Sequence, residues 1–480
     1  MTDNESGSAL LITLLALSLF SLLGLYMALN ATTGVHISDN FESQIQATYA
    51  AMAGLNHAGA LLRGLALNDV LRGPDGLYDP APAFLEQART FRFRLPLPLL
   101  TAQALNIFDP SADVAAIPDD GIISTGFYEG IGGTVLIPKT GVGQTAPNPY
   151  GPGTILTSRY FVKVTDNNGD ASELAGDMGD DPFLDGDGIV IVRSLGLAKT
   201  LSEAAGPVFR HNSVAVFEAR LKRLSTWDLG PALVVQGSGV EAAFGGSYEI
   251  SGGPFPAIGT VDAFPSDPLF PDTIIRAAAE TGGNIEGGGL PNPSVRDITA
   301  QIRSNPDQSL LLDPAYLWDF VHRQAPKIAD KFFDGAQIWQ GASAPYLGVY
   351  DKSMPVNAPG QDPKITVVNG DLQISGDVSG GGLLIVTGDF SYSGPFAFTG
   401  LILVIGAGRL NSAGNGPGIE GGLIVANLAA SPGGDAGFGT PGIFISGDSR
   451  LCSNRSAVRM AIGLIPASRI SFREIAGTDP

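Results

Sequence analysis

No charged residue occurs between Glu5 and Asp39, and residues 8–31, SALLITLLALSLFSLLGLYMALNA, are apolar almost throughout. A bilayer core is crossed by about 20 such residues in a helix, so the run is long enough to span one. The spanning part is placed at about residues 9–31. A cleaved secretory signal would open with basic residues and carry an apolar core of roughly 7–15 residues. Here the leader is acidic, with Asp3 and Glu5, and the run is longer. Flanking charge normally sets orientation. It is silent in this chain, whose first Lys or Arg is Arg63.

The helical pattern does not stop where the apolar run ends. Ile37, Phe41, Ile45, Tyr49, Met52, Leu55 and Leu62 recur at spacings of three and four, with Asp39, Glu42, Gln44 and Gln46 off that stripe. Such spacing predicts one face of an amphipathic helix. No proline interrupts residues 8–63. The expectation is one continuous rod of roughly 80 Å, apolar all round in its first half and amphipathic in its second.

Two short stretches then point to a family. Gly7-Ser8-Ala9-Leu10-Leu11-Ile12 sets a small-residue site directly against the apolar run, and Tyr49-Ala50-Ala51-Met52-Ala53-Gly54-Leu55 follows further along. Over about its first 65 residues the chain resembles PilX-type minor pilins and the tip pseudopilin of type II secretion. The resemblance implies that residues 1–7 are a leader, that a prepilin peptidase cuts after Gly7, and that Ser8 becomes a methylated N-terminus. It implies a subunit held in a bacterial inner membrane, its bulk periplasmic, which later joins a pilus at the cell surface. The implied partners are other pilin subunits, minor pilins and the pilus assembly machinery. The sequence departs from most pilins at Ile12, where a glutamate is usual, and at Met52. A carboxylate in an apolar bundle is costly unless paired. A subunit lacking it gains nothing from a neighbour above and suits a filament tip.

Residues 64–229 read as a pilin-like α+β region. Its start is turn-rich, and clearer strands follow at Arg159–Thr165, Gly188–Arg193 and Val214–Leu221. Between the first two of these lies an acidic loop, residues 166–187, with eight acidic residues and no basic one. Hard cations such as calcium take oxygen ligands from loops of this kind. Asp166, Asn168 and Asp170 alternate, Glu173 follows, and Asp185 and Asp187 form a second pair, so these six are the candidate calcium ligands. Ala171 and Asp177 stand where an EF-hand loop needs glycine and glutamate. A solvated acidic loop is the plainer alternative.

From Lys364 the chain repeats itself. Leu383-Leu384-Ile385-Val386 is echoed at Leu401-Ile402-Leu403-Val404, at Leu423-Ile424-Val425 and at Ile443-Phe444-Ile445, and Gly370-Asp371-Leu372 matches Gly388-Asp389-Phe390 at an offset of 18. A period near 20 with one strand per repeat predicts a solenoid. The expectation is a parallel β-helix over residues 230–260 and 364–470, with a hairpin sandwich as the alternative. Residues 261–363 read as a helical insertion or a lid-like subdomain, with Leu317, Phe320 and Val321 on one stripe. The fold class is therefore α+β: a long N-terminal helix, a small antiparallel sheet and a β-solenoid.

The remaining composition mostly excludes. Lys+Arg number 28 and Asp+Glu 47, a net charge of −19, which opposes nucleic-acid binding. Cys452 is the only cysteine, so no internal disulfide or cysteine-based zinc site exists. His36, His57, His211 and His322 are scattered without triad or metal spacing. Gly416-Pro417-Gly418-Ile419-Glu420-Gly421 fits a dinucleotide pattern only formally, lying between repeat strands. Parallel β-helices do host polysaccharide-cleaving enzymes with acidic pairs, and Asp371, Asp377 and Asp389 are the residues such an enzyme would use here. Gly-Asp turns explain them more simply, and a fold alone licenses no activity. The sequence reading is thus a structural filament subunit, not an enzyme. A membrane-anchored β-helical enzyme or a static envelope scaffold are the alternatives.

Overall fold

The computed structural model describes residues 4–64, 67, 122–129, 133–138, 158–167, 185, 187–199, 212–223, 226–262, 269–279, 281, 283–341, 346–354, 360–430 and 436–475. The opening feature is a single unbroken helix, α1 (Asn4–Leu61), of 58 residues. At 1.5 Å per residue it spans roughly 87 Å. Its start at Asn4 places Gly7 and Ser8 inside the helix, with no backbone break at the proposed cleavage site. Most of the turn-rich segment that follows lies outside the described residues.

The second half of α1 lies on an antiparallel sheet. Its strands are β1 (Ile122–Glu129), β2 (Gly133–Pro138), β3 (Ser158–Asp166), β4 (Ile189–Lys199) and β5 (Asn212–Lys222). The order across the sheet is β2-β1-β3-β4-β5, and the sixth strand is Ser468–Glu474, from the far end of the sequence. That strand pairs antiparallel with β5, Ser468 standing opposite Lys222 and Phe472 opposite Ala219. Sequence reading assigned residues up to 470 to the repetitive domain. The chain instead returns and closes the first sheet.

The predicted apolar stripe of α1 is buried only in part, at Leu55 and Leu62. The buried residues are Ala47, Ala50, Ala51, Gly54, Leu55 and Ala58, against Tyr160, Val162, Val192 and Phe217. Phe41, Ile45, Tyr49 and Met52 are exposed. Side-chain size decides this. Helix and sheet approach so closely that a Cβ at Gly54 would stand 2.8 Å from the Tyr160 ring, and one at Gly196 would stand 2.5 Å from the Ala51 nitrogen. Alanine and glycine line the closest part of that seam, Leu55 and Leu62 are buried in the same core, and Phe41, Ile45, Tyr49 and Met52 are turned outward.

Between β5 and the closing strand the chain builds a region of mainly parallel strands in two sheets. It alternates between them: Asp362–Asn369, then Leu372–Ser375, Val378–Val386, Asp389–Gly394, Phe396–Gly406, Arg409–Gly414 and Gly418–Ala430. Parallel neighbours are offset by one repeat, so Leu383 lies beside Leu401, Leu401 beside Gly422, and Phe390 between Leu372 and Leu410. Parallel sheets covered on both faces read as unbroken apolar runs. Here Leu384 and Val386 join the interior core, while Leu383 and Ile385 join a second core outside it.

That second core is closed by the helical part of segment 261–363. Ile302, Leu311, Leu317, Phe320 and Val321 pack there with Val458 and Ile462 of helix Arg455–Gly463. The predicted stripe Leu317, Phe320 and Val321 is thus buried. The same segment also supplies strands. Asn284–Gly287 and Val295–Asp297 extend one end of the stack, and Lys331–Asp334 with Gln337–Gln340 form the other. Stacking order is not sequence order: Leu233–Gly237 pairs in parallel with Leu423–Ala426. The chain therefore lays down one end of the stack, crosses to the other along the helices, and winds back to where it began.

Candidate functional site

Residues 10–31 of α1 are exposed apart from Ala16. From Leu10 to Tyr26 its large apolar residues are exposed, Phe20 at 72%. The helix is long and apolar enough to cross a membrane, its most apolar window having a mean hydropathy of 2.3.

The second half is fixed in its seat by polar contacts as well as by the small-residue seam. Ser43 Oγ lies 2.7 Å from Ser213 Oγ, and Tyr160 Oη lies 2.9 Å from His57 Nδ1. Burial lowers the His57 pKa to about 4, so the ring is neutral at physiological pH. The end of α1 is anchored on both structural units. Arg223 donates to the Leu62 carbonyl at 2.6 Å, and the Gly64 amide donates to the Gly463 carbonyl at 2.7 Å. Arg63 donates to the Leu464 carbonyl at 3.0 Å and to Asp330 Oδ2 at 2.7 Å. The same Asp330 oxygen accepts the Ile365 amide at 2.8 Å. Lys222 and Asp307 form a further bridge at 2.9 Å. Orphan carbonyls at a helix end need donors; Arg223 supplies one to Leu62, while Arg63 and Gly64 donate outward to residues far along the sequence.

The acidic loop is described only at its base. Asp166, at the end of β3, is buried. Asn167 donates to Asp187 Oδ2 at 2.9 Å, and the Ile189 amide donates to Asp187 Oδ1 at 2.8 Å. Gly188 turns the chain at φ +77°, and its carbonyl accepts the Arg223 amide at 2.8 Å. Burial lowers the Arg223 pKa to about 10, with the Asp185 charge opposing that shift. The base of the loop is thus joined to the same arginine that holds the end of α1. Asn168, Asp170 and Glu173 lie outside the described residues. Among the described residues, no group of three or more His, Cys, Asp or Glu is disposed to hold a metal.

Two buried carboxylates that the sequence did not single out each hold two arginines. Glu218, 3% exposed, accepts Arg193 Nε at 2.6 Å and Arg473 Nε at 2.8 Å, locking the closing strand to β4 and β5. Asp228 accepts Arg455 Nε and Arg459 Nε, each at 2.9 Å, locking helix Arg455–Gly463. No local motif marks either one, because their partners lie up to 255 residues away. Two of the residues weighed for catalysis meet in the repeat region. Asp371 Oδ1 accepts the Asp389 amide at 2.8 Å in a repeat turn. Cys452 is half-buried, and burial followed by the Glu249 charge raises its thiol pKa despite Arg450. No family model, curated protein or solved structure matches this chain.

Proposed function

We propose that this chain is a minor-pilin-like structural subunit, anchored in the bacterial inner membrane and then incorporated at or near the tip of a type IV pilus or type II secretion pseudopilus. Its outer unit would serve assembly priming or adhesion. The observation that carries the reading is the rod: 58 unbroken residues, the first half apolar and uncovered, the second seated on an antiparallel sheet through alanine and glycine. An anchor alone needs only about 20 residues and no rigid continuation. A rod that trades lipid for neighbouring rods needs both parts. We read the parallel region as a β-solenoid, supported by register steps of 18 to 21 residues and the interior ladder Leu372, Phe390, Leu410. Gly7 and Ser8 form the proposed processing site. Mass spectrometry of the N-terminus from sheared surface fibres tests this. A peptide beginning at N-methylated Ser8 is expected, and an intact leader on protein confined to the membrane overturns it.

Asp166, Asn168, Asp170, Glu173, Asp185 and Asp187 are the proposed calcium ligands, supported by their oxygen chemistry and by the junction of the loop's two ends at Asn167 and Asp187. Calcium added to the detergent-solubilised chain should release or absorb heat and raise the melting temperature. The absence of both removes calcium from the reading.

A further inference from the structure

The two sheets of the parallel unit differ in what they turn outward. Val367, Ile385, Leu403 and Ile424 of the first sheet pack with the helices in the second core. The second sheet runs in the order Gln337–Gln340, Leu372–Ser375, Asp389–Gly394, Arg409–Gly414, Gly442–Ile445 and Glu241–Phe244. Its inward residues, among them Trp339, Ile374, Tyr392, Leu410 and Ile445, fill the interior core. Successive residues of a strand face opposite ways, so the residues between these form the outer face. Register brings Ile338, Gln373, Ser391, Asn411, Phe444 and Ala243 into one row across all six strands. Not one of the six is buried.

The row is uncharged, and most of its polar groups are free. Among the described residues, the side chains of Gln373 and Asn411 have no hydrogen-bond partner in the chain, nor have those of Ser375 and Ser393 in the next row. Ser391 reaches only the Leu372 carbonyl, at 3.5 Å. Apolar side chains stand on either side of this polar stretch: Ile338, 66% exposed, and the half-buried Phe444. Gly442 makes room for the second. A Cβ there would lie 2.9 Å from the Phe444 ring and 3.0 Å from Cγ of Arg409, so ring and arginine stem share the space over the glycine. The flanking row holds Asp371, Asp389, Arg409 and Glu241, and Arg409 reaches Glu241 at 3.4 Å.

We propose that this face is a binding track for an uncharged polysaccharide lying along the stack, across the strands. Carboxamides and hydroxyls both donate and accept hydrogen bonds, which suits sugar hydroxyls in either sense. The C–H faces of sugar rings are apolar and can lie on Ile338 and Phe444. Neighbouring strands are about 4.8 Å apart, so six of them offer a row about 24 Å long. Side chains presented at that regular step fit a ligand that itself repeats. A docked protein fits less well, because interface cores are apolar and rich in aromatic residues, whereas the middle of this row is Gln373, Ser391 and Asn411. Acidic polymers are disfavoured by the net charge of −19 and by the carboxylates of the flanking row. The inference gives a ligand class to the adhesive role proposed above and rests on that role, but not on incorporation into a fibre.

Affinity electrophoresis of the purified full chain in mild detergent tests this. Hydroxyethyl cellulose, xyloglucan, glucomannan and dextran are cast in separate native gels, with polygalacturonate as the charged comparison. Migration is expected to slow in at least one neutral gel and not in polygalacturonate. Gln373→Ala combined with Asn411→Ala should weaken that retardation about tenfold, since two hydrogen-bonding groups are lost. Gln301→Ala, exposed on helix Thr299–Ser304, should leave it unchanged. The melting temperatures of all three proteins should coincide. If the double variant melts lower, Ser393→Arg, which sets a long side chain in the neighbouring row, replaces it with the same expectation. No retardation of the wild type by any of the four neutral polymers overturns the inference. So does retardation that the face variants leave unchanged, or that polygalacturonate alone produces. Binding by a chain whose N-terminus proves to be an intact leader leaves the track standing and overturns only the filament reading.

Discussion

Gly382, Gly400 and Gly421 stand side by side in adjacent parallel strands, at φ +129°, +146° and +145°. A Cβ on Gly400 would overlap the Gly382 carbonyl oxygen and lie 3.0 Å from its carbon, and one on Gly421 would overlap the Gly400 carbonyl in the same way. Gly400→Ala therefore meets two costs. Holding an L-residue in that backbone region costs about 1–3 kcal/mol. Prising the strands apart to admit a methyl group costs a further 1–3 kcal/mol or about that, as overpacking does elsewhere. Together they come to about 4 kcal/mol, a large share of the roughly 5–15 kcal/mol that holds a domain folded. Trp227 and Trp339 are buried in the two cores that flank these strands, so urea unfolding followed by tryptophan fluorescence reports on the right unit. Gly245→Ala is the control, since a Cβ there meets nothing within 4 Å. The G400A midpoint should fall far below that of G245A. Midpoints that coincide would refute the claim that the column is a steric requirement of the stack.

Glu218→Gln removes the charge that two arginines share, leaving Arg193 buried beside an amide. The expected loss is about 3 kcal/mol, and limited trypsin digestion should release the C-terminal strand at Arg473 where the wild type resists. His57 is held neutral in the fold, with a pKa lowered to about 4 against 6.5 unfolded, so the unfolded chain takes up more protons in between. Stability on its account is full above about pH 6.5 and falls as pH drops towards 4; in His57→Gln, melting temperatures should lose that part of the acid dependence. Cys452, its thiol pKa raised by burial, should react with iodoacetamide far more slowly at pH 7.5 than the same thiol in the urea-unfolded chain. Equal rates would show an open, activated thiol.

Much of the rod was legible because absence of charge is a strong signal over 33 residues. Its packing face was not. Periodicity reports where large apolar residues recur, and at the closest approach to β4 the fold instead uses Ala47, Ala51 and Gly54, burying only Leu55 and Leu62 of the predicted stripe. The parallel strands were legible from their repeats, because a strand buried on both faces cannot hide its composition. Their stacking order was illegible: Leu233 finds Leu423 as neighbour, and no local feature of LVVQG specifies that. The closing strand was equally hidden. Its residues SRISFRE are all exposed, so it carries no run of buried side chains to announce it. At the candidate calcium loop, residue type was readable, whereas the arginine beneath it, Arg223, lay outside any motif.

The insertion has a mechanical consequence. The parallel unit leaves the antiparallel sheet after Lys222 and returns at Ser468, and these two residues are partners in the register. Entry and exit are thus adjacent, and the unit interrupts the sheet without opening it. Two such crossings alone would act as a hinge. The end of α1 removes that freedom: Arg63, Arg223 and Gly64 place bonds from one helix terminus onto Asp330, Leu464, Gly463 and the base of the acidic loop. Arg63 is also the chain's first cation, so the rod stays uncharged by Lys or Arg along its whole length and acquires positive charge only where it is bolted to the rest. Force applied along such a rod would pass into the parallel unit through these contacts.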